Sequence, residues 1–268
     1  MKCNISILFL LISLSLSAQQ KIAKNPLIIG EILEIQSKVL KEARKLNIYL
    51  PAEYATDSAR TYPVIYLLDG SANEDFLHVA GLVQFLSMID KMPQSIVVGI
   101  ANVDRKKDFT FPTSIPKDLK DFPTTGKSDR FISFIEQELQ PYIQQKYKTN
   151  LKRTIIGQSL GGLLATEILI KKPQLFNHYA IISPSLWWNN ESLLNDLATI
   201  EQKYPPGLKV YVSVGTEGKR MEDDAKKLAG ILKDGKKINV SYAPMPEENH
   251  LTILHNSLYK GLQLLETG

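Results

Sequence analysis

Arg153-Thr154-Ile155-Ile156-Gly157-Gln158-Ser159-Leu160-Gly161-Gly162, running directly into Leu163-Leu164-Ala165-Thr166-Glu167-Ile168-Leu169-Ile170-Lys171, is the stretch from which the fold can be read. A short run rich in β-branched residues meets Gly-x-Ser-x-Gly and passes at once into good helix formers. The pattern predicts a strand, an abrupt turn and a helix, which is the context of a nucleophile elbow. Gly157 and Gly161 have a steric role there, because side chains would collide with the adjoining strand and helix while the turn strains the backbone of Ser159. The hydroxyl would stand clear of the sheet, and the new helix would aim its free N–H groups and positive dipole end at developing negative charge. A serine that merely caps a helix in a doubly wound sheet can be written with the same letters, so the rest of the chain has to decide.

Outward from the elbow, continuous apolar runs at Tyr62–Leu68, Ser95–Asn102, Tyr179–Ser183, Leu208–Val214 and Lys237–Tyr242 read as strands. Helices are predicted at Phe76–Ile89, at Ser128–Tyr147 with Ser128 as cap, and at Leu251–Leu265. Apolar strands separated by helices indicate a parallel sheet covered on both faces. Before them, Leu27–Leu50 alternates on both sides of Lys41-Glu42-Ala43-Arg44, the pattern of two antiparallel strands. Val103–Lys127 contains Pro112, Pro116, Pro123 and Gly126 and is too long for an ordinary connection; loops of that length line sites or move. A mostly parallel sheet of about eight strands, opened by an antiparallel hairpin, describes an α/β-hydrolase fold in one domain, residues 19–268.

Met1-Lys2, the apolar run Ile5–Leu16 and Ser17-Ala18 read as a secretory signal, residues 1–18, cut after Ala18. The run is too short to span a bilayer as a helix, and Cys3 precedes it rather than following it, so no stable membrane anchor is expected. The expected location is exported, periplasmic or secreted. Cys3 is the only cysteine of the 268 residues. The mature chain would contain none, which excludes a thiol nucleophile, thiolate metal sites and disulfide staples. The formal charge of +4 falls to +3 without Lys2, and the basic residues are scattered among acids, so nucleic acid is not an expected partner. No cofactor or metal is called for, and nothing in the sequence specifies an oligomeric state.

A serine hydroxyl needs a base to take its proton and an acid to orient that base. Of His78, His178, His250 and His255, the first two precede any acid that could take the middle place in the order serine, acid, histidine, and His255 falls within the last helix as a surface or packing residue. His250, between the last strand and the last helix, is the expected base. Glu217, in the turn Gly215-Thr216-Glu217-Gly218 beyond Leu208–Val214, is the expected acid; Asp223 or a water-assisted Ser-His pair are the alternatives. Glu222, Asp223 and Asp224 open a helix, where acids are common because of its dipole. Two backbone N–H groups should meet the oxyanion, those of Leu160 and of Ser71 in Asp69-Gly70-Ser71, with Asp69 holding that loop.

With those residues in place, the chain resembles the putative-esterase family of the α/β-hydrolase superfamily, whose members include siderophore (enterochelin) esterases, esterase D-like enzymes, feruloyl and acetylxylan esterases and mycolyltransferases. The resemblance is carried by Tyr66-Leu67-Leu68-Asp69-Gly70, Val98-Gly99-Ile100 with Arg105 and Asp108, Gly157–Gly162, Ser183-Pro184-Ser185-Leu186-Trp187-Trp188, and His250. It is most similar to the exported siderophore-esterase branch. The resemblance implies hydrolysis of a small-molecule carboxylic ester through Ser159, His250 and Glu217, with a feruloyl or acetylxylan esterase, an acyltransferase, or a non-catalytic binding protein as other outcomes. Arg105 lies in Asp104-Arg105-Lys106-Lys107-Asp108, either a solvated turn or a contact for an anionic substrate. Trp187 and Trp188 are both substrate-binding candidates, one of them packed into the core and the other stacked on an aromatic acyl group.

Overall fold

The alternation in the N-terminal half builds a hairpin. In the computed structural model, which describes residues 23–199, 204–234 and 238–266, β1 (Glu31–Ser37) pairs antiparallel with β2 (Glu42–Tyr49) from Glu31 opposite Ile48 to Ser37 opposite Glu42. The signal sequence expected at residues 1–18 lies outside the described residues. The buried runs supply β3 (Tyr62–Leu67), β4 (Ile96–Ile100), β5 (Thr149–Gln158), β6 (His178–Ile182), β7 (Lys209–Gly215) and β8 (Asn239–Met245). The eight strands lie in the order β1-β2-β4-β3-β5-β6-β7-β8. β2 is antiparallel to both its neighbours and every later pair is parallel.

The two-residue period of each strand divides the core between the faces of the sheet. Ile155, Tyr179 and Ile181 face α6 (Leu160–Lys171), α8 (Lys219–Lys233) and the helix of residues 128–146. Ile156, Ala180 and Ile182 face α1 (Phe76–Met88) and α9 (Ile253–Glu266). Such double cover is why the central strands read as unbroken apolar runs rather than alternating ones.

Two sequence expectations need correction. Val103–Lys127 is not a bare loop; it holds α2 (Arg105–Phe109) and α3 (Pro116–Asp121). The side chain of Asp104 caps α2 by accepting from the Lys107 N–H at 3.0 Å, and Pro116 opens α3, where its missing donor costs nothing. Ser128 is likewise not a cap but the buried first residue of α4 (Ser128–Phe134). That helix continues through a π turn at Ile135–Leu139 into α5 (Gln140–Lys146). Pro141, which cannot donate into an α-helical ladder, is the second residue after the turn.

The charged cluster at 104–108 is also more than a solvated turn. Arg44 of β2 and Asp108 of α2 form a buried ion pair at 2.5 Å, each side chain about 1% exposed, with the guanidinium 5.3 Å over the Phe131 ring. The pair fastens α2 to the sheet. Removing Asp108 leaves the buried guanidinium with Glu42 as its remaining carboxylate partner, and removing Arg44 leaves Asp108 with Lys107 at 4.0 Å, so the loss is below the roughly 3–5 kcal/mol of a fully stranded charge. Asp108→Ala is therefore expected to lower the urea midpoint, and a midpoint equal to that of the parent protein would show that the pair does not hold α2.

Candidate active site

β5 ends at Gln158 and α6 begins at Leu160, leaving Ser159 alone to turn the chain with φ 59° and ψ −118°. A non-glycine residue reaches that region only when its surroundings hold it. Ser159 is held through its own N–H, which donates to the Ile182 carbonyl at 3.0 Å, and its carbonyl, which accepts from Leu163 at 3.0 Å and Ser185 at 3.0 Å. A Cβ at Gly157 would fall on the Gly161 carbonyl, so the motif's first glycine is required by the close approach of strand and helix.

The other predicted residues converge on this turn from the carboxyl ends of neighbouring strands. His250, on the loop between β8 and α9, places Nε2 3.0 Å from Ser159 Oγ and Nδ1 2.5 Å from Glu217 Oε2. Glu217 stands just beyond β7, and its other carboxylate oxygen accepts from the Gly215 N–H at 3.0 Å and from the Ser183 hydroxyl. Burial alone would raise the pKa of Glu217, but hydrogen bonds from His250, Ser183 and Gly215 outweigh it and bring the value below that of an ordinary glutamate. Asp223 points elsewhere, paired with Lys219 on the exposed face of α8.

Of the other histidines, His178 is buried against Glu266 at 3.2 Å, and His78 packs edge-on against His255 with ring centroids 5.0 Å apart. The Leu160 amide opens α6, where a helix has no internal acceptor for it. The amide of Gly70 donates to the Ile100 carbonyl at 3.0 Å, and the Gly70 carbonyl accepts from Asn47, fixing the turn that carries Ser71.

Arg105 reaches Asp69 through two bonds, Nε to Oδ1 at 2.6 Å and Nη2 to Oδ2 at 2.8 Å, and its Nη2 also donates to the Gln158 carbonyl at 3.2 Å. It thus ties the turn after β3 to the residue before Ser159. The two tryptophans divide. Trp187 lines the cleft beside Ser159, whereas Trp188 is fully buried, donating Nε1–H to the Phe111 carbonyl at 2.9 Å, and has no face left for a ligand. Trp188 is therefore removed from the substrate-binding candidates.

Ser159 and His250 stand on a ridge between two depressions. One, of about 380 Å³, is lined by Ser185, Trp187, Thr216, Met221 and Asn249. The other, of about 370 Å³, is lined by Asp69, Glu74, Asp75, Arg105 and Gln158. Among the described residues no cluster of side chains is suited to hold a metal ion, and no helix is long and apolar enough to cross a membrane.

A family model described as "Putative esterase" matches residues 37–255. The chain belongs to this family. It is accordingly a carboxylic-ester hydrolase on an α/β-hydrolase fold. Its similarity to the ferri-bacillibactin esterase of Bacillus subtilis is 29% identity over 243 residues, covering 80% of this chain and 82% of that protein. An IroE-like serine hydrolase from Shewanella oneidensis superposes with a TM-score of 0.80 at 31% identity, over 88% of this chain and 80% of the other. The BES protein of Bacillus cereus gives a TM-score of 0.78 at 28% identity, over 92% of this chain and all of that one.

Some contacts at this candidate site were not anticipated in sequence. Gln158 Nε2 donates to the His250 carbonyl at 2.6 Å. Glu222 accepts from the N–H groups of Glu217 and Gly218, both at 3.0 Å, reaching back over the start of α8. It stands four residues after Gly218, one more than a capping box has, so the sequence carried no signal for this contact. Asp75, in the second depression, has its pKa raised from 3.8 to about 6, first by burial and then by Asp69 and Glu74.

A carboxyl whose folded-state pKa is raised costs no stability below its unfolded value; the cost grows as pH rises between the two values and persists above. Asp75→Asn should therefore raise the melting temperature at about pH 7.5 and leave it unchanged near pH 4 or below, and equal melting temperatures at both pH values would refute the burial of charge at Asp75.

Proposed function

We propose that the chain is an exported serine esterase that cleaves siderophore-like or other aromatic acid esters through an acyl-enzyme. The single observation that supports the chemistry is the continuous hydrogen-bonded line from Glu217 through His250 to Ser159, at 2.5 and 3.0 Å. The Nδ1 that faces the carboxylate carries the proton, leaving Nε2 to accept from Ser159.

In the proposed reaction His250 Nε2 takes the Ser159 proton as Oγ attacks the ester carbonyl carbon. The carbonyl oxygen becomes an oxyanion and accepts from the Leu160 and Ser71 N–H groups. Collapse breaks the bond to the alcohol, which leaves with the proton from His250. Water then gives a proton to His250 and attacks the acyl-enzyme, releasing the acid and restoring Ser159. Glu217 holds the imidazole in the working tautomer and stabilises its protonated form.

Substrate class rests on the family resemblance and on relatives that include a ferri-bacillibactin esterase. Among the described residues that line the two depressions, Trp187 offers an aromatic face to stack on an aromatic acyl group, and Arg105, across the ridge, is the cation. Export rests on the pattern of residues 1–18.

Ser159→Ala should reduce turnover by about 10⁴-fold or more in a folded protein, and Glu217→Gln by roughly 10²- to 10⁴-fold, while Asp223→Asn leaves it unchanged. Full activity of Ser159→Ala would defeat the mechanism, and loss through Asp223 instead would reassign the acid. On a panel of p-nitrophenyl acetate and butyrate, ferulate and acetylxylan esters and a catecholate trilactone, the trilactone should give the highest kcat/KM; dominant ferulate or acetylxylan turnover would move the protein to the carbohydrate-esterase branch. Sequencing of the exported protein should begin at Gln19, and retention of residues 1–18 would exclude the signal sequence.

A further inference from the structure

The segment Ser183-Pro184-Ser185 carries part of the family resemblance, yet the proposed mechanism gives it no part. It follows β6 and threads between the acid and the nucleophile. Ser183 is completely buried and Ser185 is 2% exposed, so neither hydroxyl is there for solvent. Ser183 holds φ 42°, a left-handed backbone that a serine adopts only under constraint. Its N–H donates to the Ser213 carbonyl at 2.8 Å and its hydroxyl donates to Glu217 Oε1. Two residues later, the Ser185 N–H donates to the Ser159 carbonyl at 3.0 Å, and its hydroxyl lies 3.2 Å from Ser159 Oγ.

The direction of the second contact follows from the first. His250 Nδ1–H faces Glu217, Nε2 accepts from Ser159, and the single hydroxyl hydrogen of Ser159 is spent there. The hydrogen between the two serine oxygens must come from Ser185. Its target is the atom that attacks, and a donor on that oxygen is worth most as its proton departs and negative charge grows.

We propose that this one segment completes the line at both ends: Ser183 is a positioning residue that holds the carboxylate of Glu217 aimed at His250, and Ser185 is a catalytic residue that donates to Ser159 Oγ during attack. The inference rests on the serine-esterase mechanism above. Ser183 acts by spreading the charge of the carboxylate; without its hydrogen bond Glu217 is more basic, holds the His250 proton more firmly and requires higher pH to free the base. The charged groups on the elements that carry or adjoin the pair are Glu222, Arg220, Asp223 and Lys219 on α8, Glu247 and Glu248 on the loop of His250, and Asp69, Glu74, Asp75 and Arg105 across the ridge; of those on α8, Glu222 bonds the Glu217 N–H whereas Asp223 pairs with Lys219 and Arg220 with Glu191. None of these side chains is a hydrogen-bond partner of the Ser183 or Ser185 hydroxyl.

The test is the pH profile of p-nitrophenyl butyrate hydrolysis by the mature protein and its single variants. Ser183→Ala should move the acid limb of kcat/KM to higher pH by about half a unit. Ser183→Gly, whose backbone accepts the left-handed φ, should move it likewise and keeps the test open if the alanine variant fails to fold. Ser185→Ala should lower kcat about tenfold with KM unchanged, and Ser185→Thr should recover part of the loss. An acid limb equal to the parent's in both Ser183 variants overturns the role of Ser183, and a parent-like kcat in Ser185→Ala overturns that of Ser185. Ser159→Ala separates the two levels: if it is inactive while these variants are normal, only the present inference fails, and if it is active the mechanism beneath it fails as well.

Discussion

The left-handed backbone of Ser159 is the constraint on which the rest of the molecule depends. A serine at φ 59° is unfavourable in isolation and survives because three backbone hydrogen bonds and a crossing of strand and helix at Gly157 and Gly161 leave the chain no other course. Those bonds reach into β6 and the segment beyond it, so the elbow is held by its neighbour in the sheet as well as by its own strand and helix. The strain has a functional return, since it presents the hydroxyl at the sheet's edge and points the first amide of α6 into the same space.

The parallel sheet then does the assembling. Ser71 follows β3, Ser159 follows β5, Ser183 and Ser185 follow β6, Glu217 follows β7 and His250 follows β8. Because these strands run in one direction side by side, residues far apart in sequence arrive at a single edge, the place where open α/β sheets gather ligands. Electrostatics refine what topology delivers: Glu217 is kept ionised by three donors, and Arg105 links the turn after β3 to the residue before the nucleophile.

Much of the fold was legible in sequence because buried parallel strands have no polar face to obscure them. The runs around Tyr62, Ser95, Tyr179 and Leu208 needed no tertiary information, and the order serine, acid, histidine together with the turns at strand ends pointed to Ser159, Glu217 and His250, with Asp223 left open until the structure set Glu217 against His250. What escaped were features created by partners distant in the chain. Nothing local to Asp108 says that Arg44, 64 residues earlier, buries against it, and nothing in Trp187-Trp188 says which ring turns inward. Ser128 looked like a cap because its type favours that position, but the structure sets it one residue inside the helix, where packing outweighs propensity. The hydroxyls of Ser183 and Ser185 were visible as a motif and silent as to purpose.

On the proposed acyl-enzyme route, the ridge on which Ser159 and His250 stand bears on the fate of the acyl group. With a depression on each side, an ester laid across the serine would keep its acid part on one flank and its alcohol on the other. The departing alcohol then vacates a path open to solvent, and the molecule that arrives next is drawn from the bulk. An acceptor other than water would have to compete with the most abundant species present and win without a closed chamber to favour it. Shape alone thus biases the partition of such an intermediate toward hydrolysis, and a transferase built on the same frame would need to roof over the flank that this protein leaves bare.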